Sequence, residues 1–286
     1  LTETALPNNA LINFTDTEVI KLPVSMFKEA KSYLSYKDIK KIQKAYTFAF
    51  YAHQGQKRKD GTDYISHPLA VSKIMMSLKV GPDSICAALL HDVLEDCNIG
   101  KNNLSKHFGE DVANIVDGVS KLGKLDMQNK AERNANNLQK MALAMANDVR
   151  VILVKLCDRL HNMRTIDHMP RFKQIQKAKE TLEVYGPLAL RIGMQDLRAE
   201  LEDLSFKCIH PMRAQMLESA IDSSSGGRKK IVEKIRKELK SHLKSNDIEN
   251  AAVKGREKTL YSIYNKIKKK HKPFSEILDV YGFRIL

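Results

Sequence analysis

Between Leu89 and Asp96 the chain reads Leu-Leu-His-Asp-Val-Leu-Glu-Asp, so an imidazole and three carboxylates arrive directly after an apolar run. In helical geometry His91 and Glu95 stand at i and i+4, Asp92 and Glu95 at i and i+3, and Asp92 and Asp96 at i and i+4. All four then project from neighbouring faces of one turn. Three carboxylates this close repel one another unless a cation sits among them, and a divalent metal would resolve the repulsion. A solvated helix end is the competing reading. A second group lies at Val149–Ile166, where Asp158, His161, Asn162 and Thr165 at i, i+3, i+4 and i+7 draw one polar stripe along an otherwise apolar helix. A buried carboxylate is costly unless paired or metal-bound. Here Arg159 or Arg164 could equally supply an ion pair. His67, ahead of Pro68, is a third candidate, although a lone histidine in that position also serves as a cap or a core residue.

These side chains need helices to hold them. From Tyr36 onward, Ile39, Ile42, Ala45, Tyr46, Phe48 and Ala49 recur at helical spacing. A charged loop follows at Gly55–Gly61, and His67-Pro68 opens another helix, since proline suits the first turn. Gly81-Pro82-Asp83 ends it, with Asp83 as N-cap of a helix over Ser84–Asp96. Residues 110–125 and 130–147 read as helices, and Asn147 or Asp148 caps the helix that starts at Val149. No six-residue stretch alternates as a half-buried strand would, so the first part of the chain is almost entirely helical. The polar cluster Ile221–Gly227 is either a flexible connection or a turn between two long helices. Beyond it stand a basic amphipathic helix (Lys229–Lys244), a short strand (Ala251–Lys254), a helix (Arg256–Lys270) and a strand in Asp279–Leu286.

Charge divides the chain at the same place. Of its 286 residues, 1–225 carry a net +4 and 226–286 a net +10. With 43% hydrophobic and 29% charged residues it is globular rather than disordered. No apolar run approaches the roughly 18 residues of a membrane span, and Leu1–Thr4 has neither a basic nor an apolar leader region. Cys86, Cys97, Cys157 and Cys208 are too far apart for a paired zinc motif, and three sit in apolar runs as core residues. Reduced thiols and no export signal point to the cytoplasm.

The order His67, His91-Asp92, Asp158 resembles that of an HD domain, a helical metal-dependent phosphohydrolase fold named for its His-Asp pair. Two imidazoles and two carboxylates suit a borderline-hard divalent ion such as Mn²⁺, Fe²⁺ or Zn²⁺. Longer stretches resemble the RelA/SpoT homologues, enzymes that make and degrade guanosine tetra- and pentaphosphate: Arg58–Pro68, Leu89–Asp96, Asp117–Leu122, Asp158–Thr165 and Glu180–Ala189. The resemblance runs over residues 36–286 and is closest to the SpoT branch. It implies that His67, His91, Asp92 and Asp158 bind Mn²⁺, and that Glu95 and Asp96 activate or orient a water for attack at the 3′-pyrophosphate. It implies that Arg58 and Lys59 line the pocket and that Asn162 and Thr165 contact the nucleoside. Cys157 departs from the alanine commoner before the aspartate ligand, without consequence for the chemistry.

The same resemblance implies a mainly α fold: an HD-type hydrolase domain over 36–221, after an N-terminal extension (1–35) and before a linker (222–228). Residues 229–286 then carry the first α/β elements of a nucleotidyltransferase-like synthetase domain. There Arg256 would stack on adenine, Lys258, Ser262 and Lys266 belong to the ATP-binding helix, and Asp279 is the first Mg²⁺ carboxylate. The later synthetase residues do not appear before Leu286, so this stretch is not expected to complete pyrophosphate transfer from ATP. The expected ligands are guanosine tetra- and pentaphosphate and GDP or GTP, with ATP at the C-terminal part and no membrane. Two rival readings stand beside this: an HD-domain phosphohydrolase of another nucleotide, and a basic nucleic-acid-binding module. The second is weak, because Lys266–Lys270 reads as a solvated face and only Tyr261 and Tyr264 interleave aromatics with the charge.

Overall fold

The computed structural model describes residues 19–125, 148–223, 228–246, 248, 251–270 and 281–285. The helix expected at 130–147, the centre of the polar cluster at 224–227, and Asp279 lie outside the described residues. The chain divides into two units, Leu1–Met169 and Pro170–Leu286. Among the described residues no helix is long and apolar enough to cross a membrane. The fold is mainly α.

In the first unit, α1 (Val24–Lys31) buries Met26 and Ala30. Ahead of it, Ile20 N donates to Thr47 Oγ1 at 3.0 Å, and Gln43 Nε2 donates to the Ile20 carbonyl. Part of the stretch read as an extension thus packs on α2 (Tyr36–Ala52). A capping box starts α2: Ser35 Oγ accepts from Asp38 N while the Asp38 carboxylate accepts from Ser35 N. The six residues singled out by its periodicity are all buried.

Helix α3 (Ser66–Ser77) carries Pro68 in its first turn. Every side chain from Ser84 to Leu90 in α4 (Pro82–Leu90) is buried. Such a helix needs neighbours on all sides, and α4 meets α2, α3, α7 (Glu110–Leu125) and α8 (Val149–Arg164). Burying its Leu and Ile side chains contributes about 1.5–3 kcal/mol each. Gly118 lets α7 lie close against α8, because a Cβ there would stand 2.8 Å from Val151 Cγ2. Between α4 and α7 run the short α5 (Val93–Asp96) and α6 (Lys101–Phe108).

Two expectations about α4 need correction. Gly81, not Asp83, is the N-cap; Pro82 takes the first helical position, and Asp83 pairs with Lys41 at 2.6 Å. The expected single helix Ser84–Asp96 is interrupted: α4 ends at Leu90, His91 and Asp92 form a turn, and α5 starts anew at Val93.

The second unit runs through α9 (Arg171–Glu180), a π-helical turn at Thr181–Tyr185, α10 (Gly186–Arg191), α11 (Gln195–Ile209), α12 (Pro211–Ser223) and α13 (Arg228–Ser245). The widened turn precedes Pro187, whose ring would clash with the carbonyl four residues back in a regular α-helix. Two strands, β1 (Val253–Glu257) and β2 (Tyr281–Ile285), pair antiparallel with Gly255 opposite Phe283, and α14 (Leu260–Lys270) lies between them in sequence. Phe206, Ala214, Leu217, Ile221, Leu260 and Ile263 make the core here. Strand β1 starts two residues later and ends three later than the expected Ala251–Lys254, and the helix starts four residues later than expected. Arg256 is therefore a strand residue, opposite Gly282. Lys258 follows the strand, while Ser262 and Lys266 lie on α14.

Candidate active site

The turn that breaks the helix at Leu90 builds the site. It lets the His91 ring turn back so that Nδ1 lies 2.8 Å from the Ala88 carbonyl. A carbonyl only accepts, so Nδ1 carries the hydrogen and Nε2 is the nitrogen left to ligate. That Nε2 is buried, has no hydrogen-bond partner, and sits 3.2 Å from Asp92 Oδ1 and 3.9 Å from Asp158 Oδ1. His67, on the first turn of α3, places its Nε2 3.2 Å from Asp158 Oδ1 and 3.7 Å from Asp92 Oδ2. One donor atom each from His67, His91 and Asp158 lies within 4.8 Å of the others, and all three residues are buried.

A buried ring nitrogen with no hydrogen-bond partner, set against carboxylate oxygens, is an arrangement that a cation would satisfy. Donors about 2.0–2.2 Å from one ion stand at roughly this spacing from each other. The residues present therefore fit a divalent metal. Burial alone would raise the Asp158 pKa, but Lys155, with Nζ 3.0 Å from Oδ2, and His67 outweigh it and hold this carboxyl well below the usual range.

A pocket of about 430 Å³ opens onto this cluster. Its lining includes His67, Asp92 and Asp158, the expected catalytic pair Glu95 and Asp96, and the expected substrate residues Arg58, Lys59, Asn162 and Thr165. His91 stands behind the wall. The loop bearing Arg58 and Lys59 is stitched by Arg58 N to the Thr62 carbonyl at 2.9 Å, and Thr62 N caps onto Asp60 Oδ1. Gly61 closes it at φ +82°, which a side chain would strain. Arg58 Nη2 approaches Asn162 Oδ1 at 3.4 Å, and Asn162 Nδ2 donates to Asp158 Oδ1 at 2.6 Å. The polar stripe of α8 thus faces the pocket at Asp158, Asn162 and Thr165.

The sequence reading missed several residues here. Tyr64 Oη lies 2.9 Å from Asp92 Oδ2 and 2.8 Å from Asp96 Oδ2, joining an expected ligand to an expected catalytic carboxylate. Burial first, and then the two aspartates, push its pKa up, so it stays a donor. Lys155 also lines the pocket, together with Lys57, Asp60, His168 and Met169. Tyr64 and Lys155 each precede an expected ligand by three residues, and helical spacing was the one signal available for Lys155. His161, also on the stripe, places its Nδ1 2.7 Å from His67 Nδ1. Burial, with His67 and Arg58 nearby, lowers its pKa to about 4.

Residues 45–195 match the family model described as HD domain. The chain belongs to the HD domain family. Downstream of the HD domain, residues 255–286 match the region found in RelA / SpoT proteins. Over 257 residues the chain is 44% identical to a guanosine-3′,5′-bis(diphosphate) 3′-pyrophosphohydrolase of Vibrio cholerae, covering 90% of this chain and 36% of that one. It is 43% identical over 256 residues to the bifunctional (p)ppGpp synthase/hydrolase SpoT of Escherichia coli, with the same coverage. A GTP pyrophosphokinase of Myxococcus xanthus is 43% identical over 252 residues, 87% of this chain and 33% of that one. The chain thus spans about a third of the length of these relatives, and the resemblance of its HD domain to RelA/SpoT homologues is borne out.

Proposed function

We propose that this HD domain hydrolyses guanosine tetra- and pentaphosphate at the 3′ position, releasing pyrophosphate and GDP or GTP. One observation carries the reading. The pocket that opens onto the histidine–aspartate cluster is lined by Arg58 and Lys59 among its four cations, by Glu95 and Asp96 among the carboxylates outside the metal-ligand set, and by Asn162 and Thr165. The names of the relatives support the choice of substrate.

In this reading His67, His91, Asp92 and Asp158 hold Mn²⁺, which when bound lowers the pKa of a coordinated water and screens phosphoryl charge. Glu95 and Asp96, exposed at the pocket wall, orient the attacking water and take its proton. The water oxygen bonds to the phosphorus carried by the ribose 3′-oxygen, that P–O bond breaks, and the 3′-oxygen leaves to regain a proton. Arg58 and Lys59 face the phosphates, where a planar guanidinium offers paired donors. Asn162 and Thr165 position the nucleoside. The reaction runs in the cytoplasm.

The domain limits proposed from the sequence, 36–221 for the hydrolase and 229–286 for the start of a synthetase, accompany this reading. At the C-terminal part we propose ATP with Mg²⁺, through Arg256, Lys258, Ser262, Lys266 and Asp279. The deciding experiment is incubation of the purified chain with guanosine tetraphosphate and Mn²⁺, following GDP and pyrophosphate. Turnover is expected, EDTA should abolish it, and Asp92→Ala or Glu95→Ala should remove it. Full activity in both variants would sink the assignment.

A further inference from the structure

His161 is neither one of the four proposed ligands nor part of the pocket lining, yet its Nδ1 lies 2.7 Å from Nδ1 of the buried His67. The ring centroids are 4.9 Å apart, with the planes tilted by 44°. Two neutral imidazole nitrogens at this distance hold one hydrogen between them: one donates and the other accepts.

The far side of His67 decides which. Its Nε2 faces Asp158 Oδ1 at 3.2 Å and Asp92 Oδ2 at 3.7 Å. If Nε2 carries the hydrogen, it points at Asp158 and no lone pair is left for a metal; Nδ1 then accepts from His161. If Nε2 is to ligate, the hydrogen must sit on Nδ1, and His161 Nδ1 must be bare to receive it. His91 meets the same requirement differently, with its Nδ1 donating to the Ala88 carbonyl, which can only accept.

We propose that His161 is the positioning residue for His67: its unprotonated Nδ1 accepts the Nδ1 hydrogen of His67 and so fixes the tautomer that offers Nε2 to a divalent cation. The inference rests on the metal reading given above. The placement is economical. His161 follows Asp158 by three residues on α8, so a single helical turn delivers one ligand and the acceptor that orients another. Partners that hold the second nitrogen of a ligating histidine typically change metal affinity by about 10–100-fold when removed.

The test is Mn²⁺ affinity of the whole chain by calorimetry, for wild type, His161→Asn, His161→Phe and His161→Ala, with folding checked by circular dichroism. Asn places Oδ1 where Nδ1 stands and keeps the acceptor, whereas Phe fills the space without one. Loss of about 10–100-fold in affinity is expected for Phe and Ala, with Asn close to wild type. In the Zn²⁺-loaded protein, ring ¹⁵N shifts of His67 should report the Nδ1–H form in wild type and in His161→Asn. Wild-type affinity in a folded Phe or Ala variant overturns the proposal, as does an Asn variant weakened as much as Ala. If Phe does not fold, the Ala and Asn pair decides. A wild-type chain that binds no divalent cation would instead bring down the metal reading itself.

Discussion

The hydroxyl of Tyr64 lies 2.8 Å from Oδ2 of Asp96, and at 2.9 Å it reaches Oδ2 of Asp92 as well. One hydroxyl has one hydrogen to give, so it serves two carboxylates in turn and keeps them together. Removing it frees Asp96 to swing into water, since that side chain is exposed. Tyr64→Phe should therefore lower kcat by about 10-fold, the equivalent of one hydrogen bond to a charged group at about 1.5 kcal/mol. KM and the thermal midpoint should move little. Steady-state kinetics beside a melting curve checks this, and an unchanged kcat would show that Asp96 needs no such tether.

Arg58 and Asn162 come together from loop and helix, 104 residues apart in sequence, with Nη2 3.4 Å from Oδ1. Through Asn162 the guanidinium is linked to Asp158. If Arg58 binds phosphate or base, its loss should appear as ground-state binding. Arg58→Ala is expected to raise KM for guanosine tetraphosphate by about 10–100-fold, the worth of a charged hydrogen bond at 1.5–3 kcal/mol. Arg58→Lys should recover part of this, because charge returns without the paired donors. A fall in kcat at constant KM would reassign Arg58 to the reacting centre.

These residues show where the sequence was readable. The apolar periodicity of α2 and the stripe on α8 are local patterns, and the structure follows both. The break at His91 was not readable. Val93 and Leu94 continue the apolar spacing, and no glycine or proline marks a stop there. The turn coincides with the His91 ring bonding back to Ala88, a choice set by tertiary surroundings. Arg256 was misplaced for a similar reason. Its strand is defined by pairing with Tyr281–Ile285, far along the chain, and a ladder partner leaves no trace in local periodicity. Likewise His67 and His161 meet across 94 residues, which no spacing rule reaches.

Gly118 sits where α7 crosses α8, and a Cβ at that position would lie 2.8 Å from Val151 Cγ2. Valine is stiff about χ1, so the helices rather than the side chain must yield. Overpacking of this kind costs about 1–3 kcal/mol, offset by roughly 1 kcal/mol of improved helix propensity. Gly118→Ala should thus be destabilising by about 1 kcal/mol net in urea unfolding. Adding Val151→Ala should reverse the sign of the Gly118 effect in a double-mutant cycle. A stabilised single variant would show that the close approach is not enforced.

Asp148 opens the helix that carries Asp158, accepting from Arg150 N at 2.9 Å while its carboxylate also pairs with the Arg150 side chain. The Arg150 hydrogen bond, foremost, holds its pKa below the ordinary aspartate value. The sign follows directly. A carboxyl depressed in the folded state contributes stability that is present above the unfolded value, about 3.9. That contribution is lost as pH falls through the lower folded value. Asp148→Asn keeps an oxygen for the cap but gives up the charge, and the pair with Arg150 is in partial contact with solvent, so at pH 7 the loss should stay below about 1 kcal/mol. Asp148→Ala should cost about 1 kcal/mol more, because the cap goes too. Urea midpoints at pH 7, 5 and 3 are the measurement. The gap between wild type and Asp148→Asn should persist from pH 7 to 5 and narrow towards pH 3, while the additional loss in Asp148→Ala changes little. A gap that stayed constant into acid would mean that the carboxylate charge, and with it Arg150, contributes nothing.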